Sequence, residues 1–300
     1  MLIVVLVTTL ASAMIWQQWR AVQVESAERA RTQAAWILTG SLDWARLILR
    51  EDARSGRATT LSEPWATPLA EARLSTFLAT DRDNTDGGPD AFLSGSIVDA
   101  QSRYNLRNLV DDGGKVVAVE LFAIQRLFES IGVAPDVATR VASGLRDAMA
   151  PVGSAQRPAT APLIPRNIAQ LTWLGVDADS VRRLSPYVVI LPVRMAVNLN
   201  TATREVIAAS IDGLDLGGAE RLVQTRLRTP FKTLAEAQTL LPATLKMDET
   251  RVGVLSNFFE VHGRLRLDDR VMEELSLLER RGLDVVAVQR RRVSSKEAAR

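Results

Sequence analysis

The chain has 300 residues, 47% of them apolar and 24% charged, with a formal net charge of +2. These values exclude wholesale disorder and any general electrostatic attraction to nucleic acid. The sequence has no cysteine, which excludes disulfides, thiolate catalysis and thiolate metal sites together, and its single histidine, His262, excludes a site built from several imidazoles.

Leu2 to Trp16 is almost wholly apolar, broken only by Thr8, Thr9 and Ser12. Counted to Trp19, at about 1.5 Å per residue, it reaches roughly 28 Å as a helix, enough to span a hydrocarbon core of about 30 Å. Trp16, Trp19 and Arg20 then suit the membrane interface. Leu2, Val5, Leu6, Leu10, Ile15, Trp16 and Trp19 are accordingly the candidate membrane and assembly residues. Helical spacing continues through Ala27, Ala30, Ala34, Ile37, Leu42, Ala45 and Ile48, and no proline occurs before Pro64. One helix is expected, apolar over 1–19, amphipathic over 20–56 and ending near Gly56. Two readings compete with it: a signal peptide cleaved at Ala11-Ser12-Ala13, which lacks a basic n-region, and an ordinary single-pass anchor with a helical stalk.

Leu61 to Pro89 is rich in loop residues and includes Glu63-Pro64-Trp65. Its acidic turn, Asp81 to Gly88, offers oxygen ligands suited to calcium, although the spacing departs from an EF-hand and the residues are ordinary turn formers. Phe92 to Asp99 alternates as a strand and leads into Asp99-Ala100-Gln101-Ser102-Arg103-Tyr104-Asn105-Leu106. From Val119 to about Leu240 the signals are helical: Glu120–Ser130, a helix opened by Pro135, then Asn167–Trp173, Ala178–Leu184 and Thr203–Ser210, with a Pro/Ala/Ser-rich linker over Pro151–Pro165. Asn257–Leu267, Val271–Leu278 and Leu283–Val288 read as an antiparallel meander, Val271–Glu279 being equally compatible with a short helix. His262 falls in the first of these strands, where a structural or exposed role is favoured over a catalytic one. Arg290 to Arg300 reads as a polar, basic, disordered tail.

Val197-Asn198-Leu199-Asn200-Thr201-Ala202 opens a helix for which Thr201 or Asn200 is the expected cap. With the turn Asp212-Gly213-Leu214-Asp215 and a second helix over about Gly218–Leu227, it resembles the helix-hairpin-helix unit of competence-type DNA receptors. That unit holds a phosphate on bare amides between two glycines. Here Asp215 replaces the second glycine and Asp212 precedes the first, and two carboxylates beside the cradle repel such a ligand.

In their order and spacing these pieces resemble the type II secretion system protein K family over essentially the whole chain. The residues that carry the resemblance are the apolar N-terminal helix, Glu63-Pro64-Trp65, Asp99 to Leu106 (similar to Asp-Ala-Gln-x-Arg-Phe-Asn-Leu) and Val197 to Ala202 (similar to Val-Asn-x-Asn-Thr-Ala). The resemblance implies an α+β fold: a pilin-like long N-terminal helix packed on an antiparallel sheet, with a large inserted all-α domain containing the helix-hairpin-helix-like unit. The expected domains are a pilin-like unit over 57–110 and 246–289, a helical insertion over 111–245 and a basic tail over 290–300. It further implies a non-enzymatic minor pseudopilin at the tip of the pseudopilus, acting in protein secretion across the outer membrane. Its partners would be pseudopilins of the I and J types, the pseudopilus fibre and, where a leader lies upstream, the prepilin peptidase. The chain would sit in the bacterial inner membrane by a single pass, its folded part in the periplasm. The family's basic leader is missing ahead of Met1, and of its acidic calcium-type segment only Asp147 remains in Gly144–Pro151. The alternative function is a membrane-anchored DNA receptor using the helical hairpin.

Overall fold

The computed structural model describes residues 1–74, 91–151, 153–154, 157–267 and 270–293. The acidic turn Asp81–Gly88, the Asp268-Asp269 turn and residues 294–300 lie outside that set.

Helix α1 runs unbroken over Leu2–Arg54, about 80 Å at the usual rise. Residues 1–26 are exposed throughout. From Ala34 onward the helix buries a stripe at helical spacing, Ala34, Leu38, Leu42, Ala45 and Leu49. Ile37 and Ile48, expected on the stripe, are its half-buried flanks.

That stripe lies on one face of a five-stranded antiparallel sheet ordered β1-β2-β7-β8-β9, namely β1 (Leu69–Arg73), β2 (Ala91–Asp99), β7 (Phe258–Leu267), β8 (Arg270–Arg281) and β9 (Asp284–Val293). Strand alternation sends Val261, Leu265 and Leu278 to the helix, in two small cores. Ala34 and Leu38 meet Leu93 and Leu265 in one; Leu42, Ala45 and Leu49 meet Trp65, Phe259 and Leu278 in the other. Trp65 is almost fully buried, stands edge-on to Phe259 at 5.3 Å, and donates its indole N–H to Glu63 at 2.6 Å. The Glu-Pro-Trp motif is thus a wedge under the C-terminal end of α1. Gly95 and Gly263 oppose each other in register, and a Cβ on Gly95 would stand 2.5 Å from the His262 carbonyl, so only glycine fits there.

Between β2 and β7 the chain makes the helical unit. Its helices are α2 (Ala118–Ser130), α3 (Pro135–Met149), a 3-10 helix over Ile168–Leu174, α4 (Ala178–Leu184), α5 (Arg204–Ser210), α6 (Leu216–Arg228) and α7 (Leu234–Gln238). Two short parallel pairs, β3 (Tyr104–Asn105) with β4 (Val188–Val189) and β5 (Val197–Asn198) with β6 (Val252–Gly253), tie their ends together. Pro135 stands in the first turn of α3, where its missing N–H costs nothing. One continuous core includes Tyr104, Leu106, Leu109 and Val110 as well as Val252, so packing extends the helical unit beyond the 111–245 read from the sequence.

Three readings need correction. Leu69–Arg73 is a strand, although the sequence suggests loop there. The sequence reading ends the last strand at Val288, but β9 continues to Val293; Arg290–Val293 is strand rather than tail because Arg290 pairs with Glu274 of β8 at 2.7 Å, opposite charges meeting across the ladder. Between the two readings open for Val271–Glu279 the structure decides for the strand, paired on one side with β7 and on the other with β9. The cap of α5 is Thr203, not Thr201 or Asn200, whose side chains are engaged elsewhere.

Candidate functional site

Leu2, Val5, Leu6, Leu10, Ile15, Trp16 and Trp19 all lie on the unpacked part of α1 and are exposed. Leu2–Trp19 is long and apolar enough to cross a membrane, and none of that window is buried against the rest of the chain. Arg20 stacks over Trp16 at 5.0 Å, so the span ends in an aromatic ring and a cation. An exposed apolar surface of this extent is not tolerated by water. Further along, Trp36 (73% exposed), Trp44 (49%) and Leu47 (59%) stand on the side of α1 turned away from the sheet, with Gly40 between the tryptophans. The spacing 36, 40, 44, 47 makes them one second stripe.

The two polar motifs meet at a buried junction. Asp99 ends β2 and is 1% exposed; its carboxylate accepts from the Gln101 amide (2.8 Å), Asn198 Nδ2 (3.0 Å), Thr201 Oγ1 (2.5 Å) and Ser256 Oγ (2.6 Å). Asn198 also donates to the Thr59 carbonyl and to Ser256, and Arg280 of β8 donates to Thr59 Oγ1 and the Ser256 carbonyl while pairing with Asp52 of α1 at 2.7 Å. The end of α1, the sheet and the helical unit are therefore joined through one set of hydrogen bonds. Desolvation pushes the Asp99 carboxyl above the usual range, opposed by the hydroxyls of Ser256 and Thr201, the Gln101 amide and Asn198.

The rest of the motif extends the junction. Gln101 donates to the Ala196 carbonyl and accepts from the Asn257 amide; Asn105 donates to the Val193 carbonyl and accepts from the Leu191 amide; Asn108 makes both bonds to Met195. Each amide side chain satisfies backbone groups of a segment more than 80 residues away in sequence. Asn200 does the same for both backbone groups of Phe231. Deeper in the helical unit, buried Tyr104 donates to Glu120 at 2.6 Å, Glu120 faces Arg251 at 3.4 Å, and Arg251 pairs with Asp212 at 2.8 Å. Desolvation, with Glu120 adding to it, holds the Tyr104 hydroxyl well above its ordinary pKa.

The helical hairpin has no open anion cradle. Asp215 caps α6 by accepting the Gly218 amide at 2.7 Å, and Asp212 is held by Arg251. The amides that would meet a phosphate are thus taken by the chain's own carboxylate. Among the described residues no group of three His, Cys, Asp or Glu side chains is placed to hold a metal, and Asp147 is engaged by Arg146. His262 lies on the exposed face of β7, with burial by its neighbours lowering its pKa.

Comparison with known proteins adds an independent line. Family models described as type II secretion system (T2SS), protein K match residues 102–193 and 197–254. Type II secretion system protein K of Pectobacterium carotovorum is 28% identical over 97% of this chain and 93% of its own length. The protein of the same name from Pseudomonas aeruginosa is 28% identical over 93% of this chain and 86% of its own. Among solved structures, a chain of the GspK–GspI–GspJ complex from the enterotoxigenic Escherichia coli type 2 secretion system superposes with a TM-score of 0.68. It is 18% identical, over 90% of this chain and 99% of that one, and supports the fold assignment.

Proposed function

Starting from the fact that this chain belongs to the type II secretion system protein K family, we propose that it caps the tip of the pseudopilus. Membership makes it a minor pseudopilin, a structural component of secretion and not an enzyme. The long apolar helix fits a single-pass inner-membrane anchor. In the proposed arrangement Leu2 to Trp19 lies in the inner membrane and the sheet and helical unit stand in the periplasm. There the chain joins the I and J pseudopilins and the fibre that drives secretion across the outer membrane. A leader encoded upstream would make it a substrate of the prepilin peptidase.

The observation that carries this reading is the two-sided amphipathicity of α1. One stripe is spent on the sheet, while Trp36, Trp44 and Leu47 remain as an exposed apolar face with nothing against it among the described residues. A second helix rising from the same bilayer would run beside that face, and Gly40 allows it to come close. The crystallised GspK–GspI–GspJ complex of the fold relative supports the choice of partner. The test is co-purification of the full chain with I- and J-type pseudopilins from membranes, comparing wild type with Trp36→Glu/Trp44→Glu. Both positions are exposed, so stability should change by only about 0.5 kcal/mol, while complex yield should fall at least about tenfold. Undiminished complex formation by the double variant would sink the proposal that this stripe is the assembly face.

A further inference from the structure

At the C-terminal end of α1 a ring of side-chain contacts closes around the Glu63-Pro64-Trp65 wedge. Asp52 of α1 pairs with Arg280 of β8 at 2.7 Å, the two side chains being 10% and 9% exposed. The Arg280 guanidinium lies over the Phe259 ring at 5.2 Å, Phe259 meets Trp65 edge-on at 5.3 Å, and the Trp65 indole N–H donates to Glu63 Oε2 at 2.6 Å. Glu63 Oε2 also accepts the Thr60 amide at 3.2 Å, which anchors it in the turn before the wedge. A hydrogen bond between the carboxyl groups of Glu63 and Asp52 completes the ring. Ionised carboxylates only accept, so that bond exists only while one of the two carries a proton. Asp52 already has Arg280 as its partner, and the proton is therefore assigned to Glu63. Other charges nearby are engaged with one another: Arg54 pairs with Glu51, and Arg281 with Glu279. From β7 and β2 the wedge is faced by the apolar Phe259 and Ile97.

We infer that Asp52 and Glu63 work as a proton-operated latch on the end of α1. With one proton between them the wedge is fastened to the helix; once the proton leaves, two adjoining carboxylates repel and the wedge works loose. The direction of the response follows from the surroundings of Glu63. Burial, the largest influence, raises its carboxyl above the ordinary 4.5; the Trp65 N–H and the Thr60 amide oppose this, and the charge and hydrogen bond of Asp52 add to it. With the folded pKa raised, the latch is fully closed below 4.5 and opens as pH rises through the folded value. Its opening reaches further than the wedge. Arg280 also donates to Thr59 Oγ1 and to the Ser256 carbonyl, and Asn198 of the helical unit donates to the Thr59 carbonyl. The segment between α1 and the wedge is thus part of the polar junction, and the grip of α1 on the helical unit becomes a function of pH.

The test is hydrogen exchange of the full chain in lipid nanodiscs, read by mass spectrometry at pH 4.5 and at about pH 7.5, each rate corrected for the intrinsic pH dependence of amide exchange. In the wild type, protection over residues 50–66 should fall at least about tenfold across this range relative to α3. Glu63→Gln keeps an acceptor for Trp65 and Thr60 and offers Asp52 a permanent N–H, so it should lose most of that dependence and stay protected at the higher pH. Asp52→Asn, which accepts from Arg280 while donating to an ionised Glu63, should do the same. Asp99 lies in the same junction and its carboxyl is raised too, but its contribution is common to all three proteins and drops out of the comparison. Wild-type protection that does not change with pH overturns the inference, as do variants that keep the full wild-type dependence. Should one variant fail to fold, the other and the wild-type profile decide.

Discussion

Asp99→Ala should cost the chain a large part of its folding stability. Without the carboxylate, the Gln101 amide and the Ser256 hydroxyl lose the acceptor each is given, while Thr201 keeps a contact to the Asn198 carbonyl of 3.4 Å and Asn198 keeps the Thr59 carbonyl and Ser256. Two orphaned buried donors, at about 1–3 kcal/mol each, with two weakened ones, sum to roughly 3–6 kcal/mol. For a domain of this size that lowers Tm by about 10–15 °C, read by near-ultraviolet circular dichroism of the full chain in detergent. Asp99→Asn keeps the shape but turns one N–H toward a donor, and should cost about 1–2 kcal/mol. Its deficit should also depend on pH. Desolvation raises the folded pKa of Asp99 above the ordinary 3.8, so the wild-type contribution is complete below that value and is lost as pH rises through the folded pKa. Asparagine has no such proton, and the gap between the two proteins should narrow from acid toward neutral pH. A shift of less than about 2 °C for Asp99→Ala would refute the claim that this carboxylate fastens the two units together.

Two further outcomes follow from the helical unit. Tyr104→Phe removes the bond to Glu120 but leaves Glu120 with Arg251, so a loss of about 1–2 kcal/mol is expected in urea titration. The folded pKa of Tyr104 is well above 10.0, so its stability contribution is lost as pH rises from 10 through that value, and the Phe variant should show a shallower alkaline decline between those limits. Asp215→Ala removes the cap of α6 and should lower stability by about 1 kcal/mol. It should confer no salt-sensitive binding to duplex DNA in a filter assay, and such binding would reopen the receptor reading.

Local pattern made α1 legible, because apolar stripes, interfacial tryptophans and the lack of proline act within a turn or two of one another. The meander was legible for a similar reason, its alternation being imposed by one face lying on α1. What escaped was decided at long range. Leu69-Ala-Glu-Ala-Arg carries no β-branched residue and becomes a strand through pairing with β2 at the sheet edge. Arg290 to Arg292 look like a solvated tail until pairing with β8 sets Glu274 opposite Arg292 and within reach of Arg290. Thr201 and Asn200 are good capping residues by type, but Asp99 and Phe231 claim their side chains, and the cap falls to Thr203. The junction itself showed only as an unusual run of Asp, Gln and Asn, since the partners that this run finds in other segments lie 86 to 157 residues away.

That the junction is polar bears on the task of the molecule. The apolar contact that joins the sheet to the helical unit, Phe258 and Leu277 against Val189 and Leu191, holds them together with little preference for angle, because burial is non-directional. Asp99, Gln101, Asn105, Asn108 and Asn198 instead match donors to acceptors one by one, and a slip of one residue leaves several of them buried and unpaired. Arg280 brings Asp52 at the end of α1 into the same set. The orientation of the helical unit is therefore referred back to the axis of α1, the helix long and apolar enough to span a membrane. On the proposed reading of a subunit that closes a fibre, the angle at which its bulk stands on that axis matters more than the strength with which the two parts adhere.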